Sequence, residues 1–88
     1  MDQPPLTILY FAWLRERAGR AEEQLSPPET IRTVADLIAW LSQRSPDHAA
    51  AFAHIATIRC AINQEFSDLD ATIKPGDEIA FFPPVTGG

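Results

Sequence analysis

The chain has 88 residues, 45% of them hydrophobic and 22% charged, with a net charge of −5. That composition describes one small globular domain rather than a disordered chain, and its negative balance disfavours a nucleic-acid partner and favours a basic protein surface. The single cysteine, Cys60, leaves no internal disulfide, so a reducing, cytoplasmic setting is expected. In chain order, "LTILYFAW" follows Pro4-Pro5, is dense in β-branched and aromatic residues, and predicts a strand from Leu6 to about Ala12. "LRERAG" predicts one or two helical turns closed by Gly19. "AEEQLS" predicts a second strand, forming a hairpin with the first across that turn, and "PPET" is a loop. "TVADLIAWLSQR" predicts a helix from Thr33 to Arg44. Thr33 caps it, Asp36 supplies a variant of the capping box, and Val34, Leu37, Ile38 and Leu41 share one face, which Trp40 widens. "SPDHAAAFAHI" restarts a helix, with Ser45 as cap and Pro46 in the first turn. "TIRCAIN" alternates, with Ile58, Cys60 and Ile62 on one face and Arg59 and Ala61 on the other. "EFSDL" predicts a short edge strand, "KPGD" a turn and "EIAFF" the last strand.

This order predicts an α+β fold of two layers, a mixed sheet packed on one main helix. Patterning leaves the strand order open; with the last strand beside the first it is a β-grasp arrangement. Residues 1–88 are expected to form a single domain that ends in an extended tail over 83–88. "MDQPP" lacks the basic and apolar regions of a secretory leader, so none is expected. The longest apolar run, "ILYFAWL", is too short to span a bilayer, so no membrane partner is expected.

Side chains offer no assembled chemistry. Cys60 lies mid-strand between Ile58 and Ile62 and reads as core rather than nucleophile. His48 and His54 are six apart, share no helical face, and have no evident acid or serine partner; they read as surface residues, and no metal is expected. The pairs Glu22-Glu23 and Asp77-Glu78 read as solvated. What remains is the ending, "AFFPPVTGG". Pro83 and Pro84 end the strand because they donate no ladder hydrogen bonds, and they hold the chain stiff and extended. Val85, Thr86, Gly87 and Gly88 follow, and fully extended the stretch from Pro83 reaches about 20 Å. Gly87-Gly88 is slender enough to thread a narrow channel and deliver the α-carboxylate of Gly88. The geometry suggests a carrier whose reactive group is its own C-terminus.

"LYFAWLRERAG" near the start and "GDEIAFFPPVTGG" at the end resemble the small, sulfur-carrier subunit of molybdopterin synthase, a ubiquitin-like β-grasp family. The resemblance covers most of the chain, and its last thirteen residues are the most specific part. It implies that an ATP-dependent adenylating enzyme activates Gly88, that a sulfurtransferase supplies the sulfur of a thiocarboxylate, and that the tail enters the large synthase subunit in a heterotetramer. Sulfur then passes to cyclic pyranopterin monophosphate. No cofactor is bound by the carrier itself; the ATP is consumed by the activating enzyme. With Gly-Gly already terminal, no processing is expected.

The resemblance also implies a docking surface. If Ile79 and Phe81 face the helix, Ala80 and Phe82 face outward. Phe82 and Phe66 are assigned to the interface, Phe11 is open between interface and core, and Arg15 is open between partner contact and solvated surface. Rival readings are a sulfur carrier for thiamine thiazole or tRNA thiolation, a protein modifier joined through Gly88 to lysines, and an interaction domain with an inert tail.

Overall fold

Why the first strand can sit at the centre of a sheet follows from its residues: Leu6, Ile8 and Tyr10 alternate inward and are buried. The structure, a computed structural model, describes residues 3–84. In it β1 (Leu6–Tyr10) pairs antiparallel with β2 (Glu22–Leu25) and parallel with β5 (Glu78–Phe82). Strand β3 (Arg59–Ile62) runs antiparallel to β5 and to β4 (Glu65–Ser67), giving the order β2-β1-β5-β3-β4. The last strand therefore lies beside the first, which is the β-grasp arrangement and settles the order that patterning left open. Among the described residues no helix is long and apolar enough to cross a membrane.

Helices α1 (Trp13–Ala18), α2 (Val34–Ser42) and α3 (Pro46–Ala51) supply the second layer. Val34, Leu37, Ile38 and Leu41 are buried against Ile8, Tyr10, Ile79 and Phe81, as the apolar stripe predicts. Every N–H that opens α2 is satisfied. Thr33 Oγ1 accepts from Asp36 N at 3.1 Å, and Asp36 returns the bond to Thr33 N at 3.2 Å. Val34 N and Ala35 N donate to the carbonyls of Ala71 and Leu69, so the loop before β5 is fastened to the start of the helix. Backbone hydrogen bonds from Arg32 and Thr33 hold the Asp36 carboxyl below its ordinary value.

Four expectations change. The first strand stops at Tyr10 rather than Ala12, because Ala12 turns at φ 55°, ψ −135° and Leu14 N donates back to Phe11 O at 3.2 Å. The chain has to bend there to lay α1 over the sheet. The main helix ends at Ser42, with Gln43 as its cap, rather than at Arg44. Asp77 is not solvated but 6% exposed. One carboxylate oxygen accepts from Asn63 Nδ2 at 3.0 Å and the other from Lys74 N at 2.9 Å, which locks the Lys74–Asp77 turn to the β3–β4 hairpin. Its neighbour Glu78 remains only half-buried.

His48 and Glu23 are the fourth correction. His48 is 3% exposed rather than on the surface. Its Nδ1 lies 2.7 Å from Ser45 Oγ, the α3 cap, and its Nε2 lies 2.8 Å from Glu23 Oε2, so it has both a serine and an acid partner. Tyr10 donates to the same carboxylate at 2.7 Å, and the Arg20 guanidinium approaches its other oxygen at 3.1 Å. Burial, then the Glu23 hydrogen bond and charge, push the Tyr10 phenol above its ordinary value. For Glu23, burial is the largest single influence and pushes upward. The hydrogen bonds from Tyr10 and His48 and the electrostatic pull of His48 and Arg20 together outweigh it, leaving the carboxyl below its ordinary value of 4.5. The Ser45–His48 spacing was visible in the sequence; Glu23 was not, being 25 residues away.

Gly76 adopts φ +89°, and an added Cβ would lie 3.3 Å from Pro4 Cγ. Gly76→Ala should therefore cost about 1 kcal/mol or more, lowering Tm by roughly 4–8 °C in thermal unfolding. A depressed carboxyl adds stability above its unfolded pKa and loses it as pH falls through the folded value. Wild-type Tm should thus fall more steeply below pH 4.5 than that of Glu23→Gln, as calorimetry at stepped pH would reveal; parallel curves would remove Glu23 from the acid-sensitive set.

Candidate functional site

The helices cover one face of the sheet and leave the other open. Strand register fixes what the open face carries. One row runs Phe66, Ala61, Ala80, Leu9, Glu22 across all five strands. The next row places Arg59 opposite Phe82. As the period-2 reading of "EIAFF" predicts, Ile79 and Phe81 point inward and are fully buried, whereas Phe82 is half-buried on the outer side. Phe66 is 85% exposed and Phe11 47%, and the Phe66 and Phe82 rings lie 5.7 Å apart. Phe11 follows Leu9 in strand parity, and its N–H bonds to Phe81 O at 3.1 Å, so it reaches the sheet end beside Phe82. The structure therefore brings Phe82 and Phe66 into contact and sets Phe11 at the same end. Arg15 is exposed on α1 and stands outside the strand register that forms this band.

Leu9, Ala61 and Ala80 complete the band. Ala61 and Ala80 are small enough for neighbouring side chains to shield them, and both are buried on the outer side. A continuous apolar strip of this kind marks a protein-binding surface more strongly than scattered exposed residues do.

The tail starts at the same end. Pro83 and Pro84 are half-buried and follow directly from β5. Pro84 forms one wall of an open groove of about 500 Å³ with Arg59, Cys60, Phe66, Ser67, Asp68 and Phe82. Val85, Thr86 and Gly87, expected to enter the partner, and Gly88, expected to be adenylated and to carry the thiocarboxylate, lie outside the described residues. A second cavity of about 800 Å³ opens at the opposite end of the sheet, between Leu6, Ile31 and Ile73, and shares no residue with the first.

Cys60 borders the groove but is itself buried, and its Sγ donates to Ser67 O at 3.2 Å. Burial, and then the nearby Asp68 charge, push the thiol above its ordinary value. A protonated, hydrogen-bonded thiol is a poor nucleophile, so Cys60 acts as core. Among the described residues no group of three or more His, Cys, Asp or Glu is placed to hold a metal. The site is thus an uncovered apolar face leading to the Pro83-Pro84 root, and among the described residues it carries no group of metal-ligating side chains.

Known proteins share this layout. The ThiS family pattern matches residues 8–88. The molybdopterin synthase sulfur carrier subunit of Haemophilus influenzae is 38% identical over 87 residues, covering 94% of this chain and 99% of the relative. A solved molybdopterin converting factor subunit 1 from Pyrococcus furiosus superposes with a TM-score of 0.75 at 30% identity, over 93% of this chain and 99% of that one. SAMP1 of Haloferax volcanii, a small archaeal modifier protein, superposes with a TM-score of 0.72 at 28% identity, over 96% of this chain and 99% of that one. With the family pattern matched almost end to end and the β-grasp sheet in place, the chain belongs to the ThiS family of ubiquitin-like proteins, among the sulfur carrier subunits of molybdopterin synthase.

Proposed function

We infer that this protein carries sulfur on the C-terminal carboxyl of Gly88 for the synthesis of molybdopterin. The observation that carries the reading is the continuity of the uncovered apolar band with the Pro83-Pro84 root of a Gly-Gly ending. The band supplies binding energy, and the stiff Pro83-Pro84 root leaves the sheet at the end of the band. A carboxylate is a poor electrophile. An activating enzyme that adenylates Gly88 with ATP provides a leaving group, and a sulfurtransferase then exchanges oxygen for sulfur to give a thiocarboxylate. That group is a competent nucleophile without any cysteine, which fits a chain whose one thiol is locked in the core. The large synthase subunit accepts the tail in a heterotetramer, where sulfur passes to cyclic pyranopterin monophosphate. A cytoplasmic setting suits these reducing, ATP-consuming steps.

The likeness to SAMP1 supports one second reading, a modifier whose Gly88 forms an isopeptide bond with lysines. Incubation with an activating enzyme, ATP and a sulfur source separates the two. The carrier gains the mass difference of sulfur for oxygen, whereas a modifier appears as a conjugate; an unchanged mass overturns both.

Phe82→Ala should weaken binding to the large subunit by about 2 kcal/mol or more and leave Tm nearly unchanged, because Phe82 packs on the outer side and only Phe81 enters the core. Calorimetric titration and thermal unfolding of the same sample check both halves. A large loss of Tm with intact binding would return Phe82 to the core.

Deleting Gly88 should abolish sulfur transfer and leave thermal unfolding unchanged. It withdraws the reactive carbon by about 3.5 Å, and in an enclosed site a displacement of about 1 Å already costs on the order of a hundredfold in rate. Conversion of the pterin precursor by the reconstituted synthase is the readout, and wild-type turnover by the shortened chain would make the tail inert.

A further inference from the structure

Arg59 is set apart by its place on the docking face. Of the outward positions that strand register fixes, three are charged: Glu22 at the β2 edge, Glu78 at the start of β5, and Arg59 at the end where the tail leaves. The cation is therefore opposite Phe82 where the tail leaves, whereas Glu22 lies on the far edge strand and Glu78 at the other end of β5. Its side chain is also held. Nη1 donates to Ala56 O at 3.2 Å and to Ile58 O at 3.1 Å, folding the guanidinium over the 3-10 turn Ile55–Thr57. Among the described residues no carboxylate lies within ion-pair distance of it. Ile55, 44% exposed, opens that same turn and adds apolar surface beside the guanidinium. A planar fork held by two carbonyl contacts from one nitrogen loses little entropy on receiving an anion, and its pairing gains strength where a partner excludes water.

We propose that Arg59 is a specificity residue of the docking face, receiving a carboxylate that the tail-accepting partner carries beside the mouth of its channel and thereby setting the direction in which the tail enters. The inference rests on the docking reading above. It adds an ionic contact to an apolar one: Phe82 and Phe66 bind, while Arg59 orients and selects. Asp68 lines the groove with Arg59. Its charge opposes an incoming carboxylate.

The test is titration of the large synthase subunit from the same source, at salt concentrations from about 50 to 300 mM, across which the Debye length shortens enough to expose an ionic contact. Arg59→Glu should weaken binding by about tenfold or more and flatten or invert the salt dependence. Arg59→Met, which keeps the apolar stem, should weaken it less and flatten it also. Asp68→Asn should tighten it. Phe82→Ala should weaken binding equally at every salt concentration. Thermal unfolding of each variant checks the fold, and Arg59→Met carries the test if Arg59→Glu fails to fold. Wild-type affinity and salt dependence in both Arg59 variants, alongside weakened Phe82→Ala, would overturn the role of Arg59 and leave the docking face standing. Wild-type binding by Phe82→Ala and Phe66→Ala as well would overturn the docking face and this inference with it.

Discussion

The parallel pairing of β1 with β5 is the constraint on which the rest depends. It joins the two ends of the chain at the centre of the sheet, with Ile8 beside Ile79 and Tyr10 beside Phe81. Parallel strands share a direction, so both finish at the same edge. That places Phe11, just past β1, next to Phe82, and it sends Pro83-Pro84 out from the middle of the sheet rather than from a fraying margin. Tyr10, Phe52 and Phe81 lock the inner side of that edge, with Phe52 and Phe81 meeting edge to face at 5.0 Å. Pro83 and Pro84 thus follow directly from a strand whose inner side is closely packed.

Two polar clusters brace this centre from opposite sides. Glu23 gathers Tyr10, His48 and Arg20, tying β1, β2 and α3 together. Asp77 ties the turn before β5 to the hairpin after β3. Buried polar groups are costly unless satisfied, and among the described residues no buried side-chain nitrogen or oxygen is left without a partner. Both clusters fix angles between elements that an apolar core alone would fix less sharply, because hydrogen bonds are directional whereas burial is not.

The two faces of the sheet divide the labour. The inner face carries stability, through an apolar core shared with the helices. The outer face carries the apolar band that the helices leave uncovered, which the proposed docking would bury. Stability and docking can therefore be changed separately, Phe81 and Phe82 being adjacent in sequence but on opposite sides.

Sequence alone determined the elements, the α2 cap and stripe, the outward parity of Phe82 and the Gly-Gly ending, because these depend on local spacing: period 3.6 for a helix, period 2 for a strand, and the backbone chemistry of proline and glycine. The resemblance carried by "GDEIAFFPPVTGG" supplied the role of the ending. Only the tertiary structure decided that Phe66 meets Phe82, that Arg59 stands opposite Phe82, and that His48, Glu23 and Asp77 are interior. Each of these rests on register or on contacts between distant segments, and a polar residue looks the same in a sequence whether its partner is water or a side chain 25 residues away. The Asn63–Gln64 turn, with φ of 51° and 72° and no glycine, was hidden for the same reason. Its conformation is imposed by the pairing of β3 with β4, and by the bonds that the Asn63 side chain donates to Asp77 and accepts from Glu78 N, which only the folded chain can make.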